Sequence, residues 1–283
     1  IPFGLPQRHT LVSQTASIAG RGLFTGEHTS VITAPAPSGG IVFQRRDLPG
    51  RPTVEALLAN VAADPTAAGL PKGFPARNTI LVSPDEPTCT VMTIEHIMSA
   101  LGALGVSDAI IVVEGPEIPI LDGGASDFAA NILYVGLGAI GWNEHITLPR
   151  EIVVEDGRGG KIVGRPTSDP VPEFTYELDY GPAAPIHPQS VSWSGDVGMY
   201  IGQVAPARTF CLKAEAEAMR KAGLFRDFSP SDLLVIDDDG SAIDNGMRFH
   251  DEPARHKLLD LIGDLALLGG PLLANVTATR SGH

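Results

Sequence analysis

The sequence has little cysteine and no long apolar run. Its 283 residues include two cysteines, Cys89 and Cys211, which are too few and too widely spaced for a disulfide framework or a thiolate zinc cluster. No stretch approaches the roughly 20 consecutive apolar residues that a membrane-spanning helix needs. These absences predict a soluble protein of the reducing cytoplasm, with no transmembrane segment.

Positive charge is scarce as well. Lys and Arg number 20 against 33 Asp and Glu, which gives a formal net charge of −13. That sign is wrong for a protein that grips a nucleic-acid backbone along an extended surface, so we expect no nucleic-acid partner. A few local Lys or Arg side chains could still hold a small anionic ligand.

The chain is long enough to form one large core or two ordinary ones, since 43% of its 283 residues are hydrophobic. In the first half, short alternating strands precede "TIEHIMSALGAL", whose apolar residues recur at i, i+3, i+4 and i+7 and predict a helix. A strand, a Gly-rich turn and a second helix follow. A Gly/Trp/Asn break at 141–143 sets the predicted boundary between an N-terminal domain, 1–142, and a C-terminal domain, 143–283.

The second half repeats this coarse pattern. Predicted strands extend to about Tyr200, and the string "KAEAEAMRKAGL" that follows is a strong helix former. A strand at "DLLVID" comes next, and then a buried helix from Arg255 to about Gly269. The last predicted element is a strand at "LLANVTATRSGH". Regular βαβ alternation is missing, so a doubly wound parallel sheet is not indicated. We predict an α+β protein with two similar halves.

The helix "RHKLLDLIGD" carries an unexpected polar stripe. His256, Asp260 and Asp264 recur every four residues among leucines, and therefore share one helix face. An imidazole and a carboxylate four residues apart can bind one divalent ion, and the pairing suits Zn²⁺. For this helix alone, an ordinary hydrogen-bonded i,i+4 pair is the better interpretation.

His96 is the candidate third ligand, because Glu95 and His96 begin the other apolar helix. In isolation the pair is better explained as a helix start, with Thr93 as the cap, Glu95 favouring the helix dipole and His96 facing solvent. Combined with His256 and Asp260, however, His96 completes a set that leaves a fourth zinc position open for water, whose pKa falls towards about 7.

The neighbouring residues fit catalysis at such a site. Glu95 lies about 100° further round the helix than His96 and could take the proton of the water as a general base. Lys257 supplies a fixed cation, and Asp264 is placed to accept a hydrogen bond from a histidine, for which His283 is a candidate. The remaining histidines have no ligand spacing and are predicted at the surface: His9, His28, His145, His187 and His250.

Several strings resemble one family in order and spacing. They are "GRGLFTG", "TIEHIMSALGALGVSDAIIVVEGPEIPILDGGASDF", "ARTF", "GMRFHDEPARHKLLDLIGDLALLGG" and "SGH". They are similar to the bacterial UDP-3-O-acyl-N-acetylglucosamine deacetylases (LpxC family), zinc amidases that commit a cell to lipid A synthesis. The resemblance spans nearly the whole chain.

The resemblance implies roles for individual residues. The zinc ligands are His96, His256 and Asp260, the general base is Glu95, and the catalytic histidine is His283.

It further implies that Asp264 is the partner of that histidine and that Thr209 helps the zinc to stabilise the oxyanion. Phe210 would face the sugar ring, and Lys257 the polar or anionic part of the UDP-linked acyl glucosamine substrate.

The family fold is an expectation too. It has two α+β domains, each a sheet with helices on one face, and the helical layers pack together between the two sheets. Each domain carries an insert, and the second insert forms a tunnel for the acyl chain, where we place residues 198–207. By the same resemblance, the protein is expected to be a monomer.

Two positions depart from the family pattern. Phe24 occupies the place of a histidine in the Gly-rich motif, and Pro253 replaces an apolar residue, which a first helical turn tolerates. Alternatives to the lipid A deacetylase therefore stay open. One alternative is a paralogue that binds or delivers metal. Phe24 favours this alternative, and the retained catalytic residues argue against it. The other alternative is an amidase for a different acetylated sugar.

Overall fold

The computed structural model describes residues 7–70, 78–225, 227–230 and 232–283. The strands of the first half are β1 Gln7–Leu11, β2 Ile18–Arg21, β3 His28–Pro35, β4 Ile41–Arg45, β5 Thr53–Glu55, β6 Ile80–Val82, β7 Thr90–Met92, β8 Ala109–Glu114 and β9 Leu137–Trp142. Those of the second half are β10 Ile146–Thr147, β11 Ile152–Glu155, β12 Lys161–Pro166, β13 Phe174–Leu178, β14 Gln189–Trp193, β15 Phe210–Leu212, β16 Leu234–Ile236 and β17 Leu272–Thr279.

Helices connect these strands. The α-helices are α1 Glu95–Ala103, α2 Ser126–Val135, α3 Val197–Met199, α4 Lys213–Lys221 and α5 Glu252–Ala266. Short 3₁₀ turns cover Leu58–Asn60 and Pro65–Ala68, and α3 continues into a π-helical turn at Tyr200–Val204. Among the described residues, no helix has the length and apolar character needed to cross a membrane.

Two larger sheets contain most of the strands. The first has the order β2-β3-β8-β4-β5, and the second has the order β11-β12-β17-β13-β14 with β10 beside β17. In β8 the buried residues alternate with half-buried ones, and β17 does the same, because each sheet presents one face to the core. Strands of the first sheet all precede residue 142 and those of the second all follow it. The division into two domains stays a prediction.

Helices α1 and α5 pack directly against each other in the middle of the molecule. One continuous core contains Phe43 and Ile111 of the first sheet, residues of both helices, and Phe174 and Trp193 of the second sheet. Gly263 of α5 allows the closest approach, since a Cβ atom there would lie 2.1 Å from the carbonyl oxygen of Glu95. The expected α+β fold, with helices packed between two sheets, is confirmed.

Helix α5 begins at Glu252, three residues before the predicted start at Arg255, and ends at Ala266 rather than near Gly269. Pro253 is in its first turn, where the missing N–H costs no helical hydrogen bond. The carboxylate of Glu252 is buried and accepts hydrogen bonds from the Arg208 guanidinium at 2.8 and 3.0 Å. This ion pair ties the start of α5 to the segment before β15.

Candidate active site

A strained residue sets the start of α1. Thr93 has a φ of 58°, which a β-branched residue rarely adopts. Its hydroxyl donates to Glu117 Oε1 at 2.8 Å and accepts from Asn78 at 3.0 Å. The buried Glu117 also accepts from the backbone N–H groups of Phe24 and Thr25. Glu117 therefore holds the "GLFTG" loop and the turn before α1 together, and stabilises the unusual backbone conformation.

Helices α1 and α5 bring the three predicted ligands together. His96 lies on α1, and His256 and Asp260 lie one turn apart on α5. A ligand atom from each lies within 4.8 Å of the other two, and all three side chains are buried. The two imidazole rings meet edge to face with centroids 5.0 Å apart. The alternative considered for the Glu95–His96 pair in isolation, in which His96 faces solvent, does not hold, because α1 turns this side chain towards α5.

The donor set fits a metal cation. His256 Nδ1 lies 3.1 Å from the carbonyl oxygen of Ala207, which leaves Nε2 directed towards Asp260. Asp260 Oδ1 is buried, and among the described residues no donor satisfies it. His256 Nε2 and His96 Nε2 lie 3.4 and 3.7 Å from that oxygen. The site thus directs two imidazole nitrogens and one unsatisfied carboxylate oxygen at a common point. A divalent ion bound there would accept a lone pair from all three.

The protonation states of these groups also suit metal binding. Burial, and then the neighbouring His256, lowers the pKa of His96 to about 3, and burial lowers the pKa of His256. Both rings are therefore neutral at pH 7 and can offer a lone pair. Burial acts to raise the pKa of Asp260, but His256 and Lys257 outweigh it, and the pKa lies below its usual value. Lys257 Nζ donates to Asp260 Oδ2 at 2.8 Å.

Glu95 is buried beside this cluster. Its Oε2 atom accepts a hydrogen bond from the backbone N–H of Thr79 at 3.0 Å. Burial raises the pKa of Glu95 to about 8, and the charge of His283 opposes that rise. A carboxyl group whose pKa lies near neutrality can accept and return a proton. A dication bound next to it would lower this pKa and favour the basic form.

His283 and Asp264 form a pair at the other side of the cluster. His283 Nδ1 lies 3.0 Å from Asp264 Oδ2, and His283 Nε2 lies 3.7 Å from Asp260 Oδ2. Burial and Lys257 act to lower the pKa of His283, but Asp264 and Asp260 outweigh them and raise it to about 9. His283 is therefore an imidazolium at neutral pH. The hydroxyl of Tyr176, on β13, donates to the carbonyl of Ser281 and anchors the segment that carries His283.

A cavity of about 480 Å³ opens onto these groups. Its walls contain all the predicted site residues except Asp264, which lies behind His283: Glu95, His96, Thr209, Phe210, His256, Lys257, Asp260 and His283. Of the residues that the structure describes, three with basic side chains line it: Arg158, Lys257 and Arg280. The structure thus brings the predicted residues together around one space, while the roles of these residues stay predictions.

Phe210 and Phe24 form aromatic parts of the cavity wall. The ring centroid of Phe210 lies 6.4 Å from those of His256 and Tyr180. Phe24 is buried, and its ring centroid lies 5.8 Å from that of Phe225. An apolar cavity of about 210 Å³ lies between β15, α4 and β16 and shares Cys211 and Phe225 with the larger one. Phe24 therefore lies at the side of the site that leads towards apolar space.

Residues 198–207 do not line either cavity in the part of the chain that the structure describes. Tyr200 is fully buried, and its hydroxyl donates to Ser99 on α1 at 3.0 Å. The carbonyl of Ala205 accepts from the N–H of Ala125 at 2.8 Å. This segment packs α1 and α2 against the second half, whereas the smaller cavity is lined by residues of β15, α4 and β16. The tunnel at residues 198–207 stays a prediction.

Sequence reasoning missed three features of the site and its surroundings. Thr79 contacts Glu95, Asp264 and His283, but nothing in the string around it indicates this. Glu117 lies in "PEIPILDGG", next to the expected Gly-rich turn, and nothing in that string indicates its contacts with Thr93 and the "GLFTG" loop. His9, predicted at the surface, is buried in β1, where it pairs with β9 and with Val106 of the loop after α1.

The comparisons with known proteins agree with this geometry. Residues 8–283 match the family described as "LpxC: UDP-3-O-acyl N-acetylglycosamine deacetylase". A UDP-3-O-acyl-N-acetylglucosamine deacetylase of Citrifermentans bemidjiense is 34% identical over 95% of this chain and 83% of its own length. Proteins with the same name from Synechocystis sp. and Pseudomonas entomophila are also 34% identical, over 97% and 98% of this chain and 94% and 86% of their own lengths. The chain belongs to the LpxC family of deacetylases.

Proposed function

We propose that the protein hydrolyses the N-acetyl group of UDP-3-O-acyl-N-acetylglucosamine, releasing acetate and a free amine for lipid A synthesis. One observation carries the proposal. The buried cluster of His96, His256 and Asp260 faces a cavity that is also lined by Glu95, whose carboxyl has a raised pKa, and by His283, whose imidazole is protonated at neutral pH. Amide hydrolysis needs both a proton acceptor for water and a proton donor for the leaving amine. Family membership and the names of the relatives support the same activity.

Zinc is the metal that we propose for this site. His96, His256 and Asp260 would hold it, and this set of two imidazoles and one carboxylate is typical of catalytic zinc. When bound, zinc polarises a carbonyl and lowers the pKa of water to about 7. The interaction between His256 and the Ala207 carbonyl fixes which ring nitrogen is available.

The protein's own side chains handle the protons. Glu95 takes the proton of the attacking water, since its carboxyl is ionisable near neutrality and lies beside the cluster. His283 holds a proton up to about pH 9 and delivers it to the leaving nitrogen. Asp264 orients the imidazole through Nδ1, so that Nε2 faces the cavity. Thr209 is the proposed hydrogen-bond donor to the developing oxyanion.

The cavity suits the other parts of this substrate. Arg158, Lys257 and Arg280 line it and are the proposed contacts for a diphosphate, although the whole chain is acidic, Lys257 pairs with Asp260 and Arg280 pairs with Asp179. Phe210 offers an aromatic face to the sugar. The adjoining apolar space near Cys211 and Phe225 would receive the start of the acyl chain. A cytoplasmic location and a monomeric state stay predictions.

The metal-carrier alternative has less support. Phe24 removes a polar group from the cavity wall, as this alternative requires, but its ring packs on Phe225 and completes an apolar surface. A pure carrier has no need for Glu95 beside the ligands or for the Asp264–His283 pair. An amidase for another acetylated sugar would share the chemistry and differ in what fills the apolar space.

Acetate release from UDP-3-O-acyl-N-acetylglucosamine by the zinc-loaded full chain tests the proposal. Glu95→Ala and the isosteric Glu95→Gln are the controls, with zinc content measured for each protein. We expect turnover in the wild type and a loss of at least about 100-fold in both variants at unchanged zinc content. One tightly bound zinc per chain without turnover would overturn the deacetylase and favour the carrier. Turnover only with other acetylated sugars would reassign the substrate.

A further inference from the structure

Thr79 contacts three groups of the proposed proton machinery at once. Its backbone N–H donates to Glu95 Oε2 at 3.0 Å, and its hydroxyl donates to Asp264 Oδ1 at 2.6 Å. The same hydroxyl oxygen lies 3.3 Å from His283 Nδ1. Thr79 is itself buried. It directly precedes β6, in a part of the chain for which neither the sequence motifs nor the family resemblance indicated a role.

These three groups come from separate segments of the chain. Glu95, Asp264 and His283 lie 16, 185 and 204 residues from Thr79. Glu95 belongs to α1, Asp264 to α5, and His283 follows β17. Among the described residues, Thr79 is the one that makes hydrogen-bonding contacts with all three. It therefore links the proton acceptor to the proton-donor pair across the junction of α1 and α5.

The hydrogen positions follow from the donors available. The Thr79 hydroxyl has one hydrogen, which it gives to Asp264 Oδ1, and the Nδ1–H of His283 goes to the other oxygen, Oδ2, at 3.0 Å. The carboxylate is thus held at both oxygens and cannot rotate without losing one bond. His283 must keep its hydrogen on Nδ1, because the carboxylate and the hydroxyl both accept there.

The surroundings strengthen this network. An apolar cavity of about 210 Å³, with Leu58, Val61 and Leu265 in its walls, adjoins Thr79 and Asp264 and extends as far as Asp260. Hydrogen bonds next to apolar space are less screened by water, so the loss of one has a larger effect on the geometry.

We propose that Thr79 is a positioning residue for the hydrolysis. Its backbone N–H holds Glu95, and its hydroxyl fixes the Asp264–His283 pair at a set position relative to Glu95. The inference rests on the proposed function. It predicts a fault in turnover rather than in folding, metal binding or substrate binding, because Thr79 is not one of the three ligands and does not itself line the larger cavity.

Thr79→Val tests the inference, because valine keeps the shape and the amide and removes only the hydroxyl. With the zinc-loaded full chain and UDP-3-O-acyl-N-acetylglucosamine, we expect kcat to fall about 10- to 100-fold, with KM and zinc content unchanged. Thr79→Ser should restore most of the rate. Thr10→Val is the matched control. Thr10 is also buried, and its hydroxyl accepts a hydrogen bond from the Ala36 N–H, remote from the site. The kcat of this variant should match that of the wild type.

A second readout does not depend on turnover. In ¹⁵N-labelled zinc-loaded protein, the Nδ1–H resonance of His283, assigned by comparison with Asp264→Asn, should shift in Thr79→Val and not in Thr10→Val. Wild-type kcat and an unshifted resonance in Thr79→Val would overturn the inference, as would a Thr79→Ser variant as slow as Thr79→Val. If the wild type lacks turnover, the proposed function fails, and the resonance still decides whether Thr79 positions His283.

Discussion

Replacing Gly263 by alanine tests whether the close approach of α1 and α5 sets the geometry of the site. An alanine Cβ would lie 2.1 Å from the carbonyl oxygen of Glu95, 2.9 Å from its carbonyl carbon and 3.1 Å from the Ser99 nitrogen. All three atoms belong to the backbone of α1. No side-chain rotation can relieve the overlap, so the two helices must move apart.

The size of the movement follows from these distances. Ordinary van der Waals contact for a Cβ atom begins at 3.4 Å, so α1 and α5 must separate by roughly 1 Å at this point. Overpacking of this kind costs about 1–3 kcal/mol, and alanine returns about 1 kcal/mol through its higher helix propensity. The net loss in unfolding free energy is therefore about 0–2 kcal/mol. A misplacement of about 1 Å between reacting groups can cost about 100-fold in rate.

Gly263→Ala should thus lose far more activity than stability. Urea unfolding gives the free energy, chelator competition gives the zinc affinity, and acetate release gives kcat. Gly102→Ala is the control, on the same helix pair but away from the ligands. Its Cβ would lie 3.3 Å from the Ala266 methyl group and 3.8 Å from the Ile262 carbonyl oxygen, so it would meet no backbone atom closer than ordinary contact. The reasoning fails if Gly263→Ala keeps wild-type zinc affinity and rate, or if Gly102→Ala is equally impaired.

Four further predictions follow from the site and its supports. His256→Ala should abolish tight zinc binding, and stoichiometric zinc in that variant would contradict the ligand set. Asp264→Asn should keep its zinc and lose about 10- to 100-fold in kcat; full activity would remove Asp264 from the mechanism. Because the pKa of His283 is raised to about 9, its imidazole is fully charged below about pH 6.5 and loses its proton as the pH rises through about 9. The rate should therefore fall above pH 9, and in Asp264→Asn the same fall should come at lower pH. A pH–rate profile that does not shift in Asp264→Asn would refute this. Glu252→Gln leaves Arg208 charged and buried, so it should lower the unfolding free energy by about 3–5 kcal/mol in urea titrations, and an unchanged midpoint would refute the buried pair.

Local spacing in the sequence was enough to identify the two central helices and part of the site. His256 and Asp260 are four residues apart, so a helix places them on one face whatever surrounds it. The apolar periodicity of "TIEHIMSALGAL" likewise identifies α1, since a helix face must be buried somewhere. These inferences depend on geometry within one element, which the sequence contains.

The direction of His96 depends on tertiary packing instead. Taken alone, "TIEH" is better explained as a helix start with His96 facing solvent. The side chain turns inward because α1 meets α5 at Gly263. Thr79 was missed for the same reason. Its partners lie up to 204 residues away, and a single threonine before a short strand carries no periodic signal.

Strand order was also beyond the sequence. β17 is the last strand in the chain, yet it lies in the centre of the second sheet, between β12 and β13. Alternating burial predicts a strand with one face in the core but does not identify its neighbours. The position of β17 matters for the site, because the chain proceeds directly from this strand to His283.

The two tryptophans occupy contrasting surroundings. Trp193 is 1% exposed, packs on Phe174 and Tyr200, and donates from its indole N–H to the carbonyl of Asp196 at 2.8 Å. Trp142, at the end of β9, is 73% exposed. Indole fluorescence moves to longer wavelength in water, so Trp142→Phe would leave a protein whose emission comes from the second sheet alone. The red shift of that emission during denaturation would report the exposure of Trp193, separately from the loss of the helical circular dichroism of the protein.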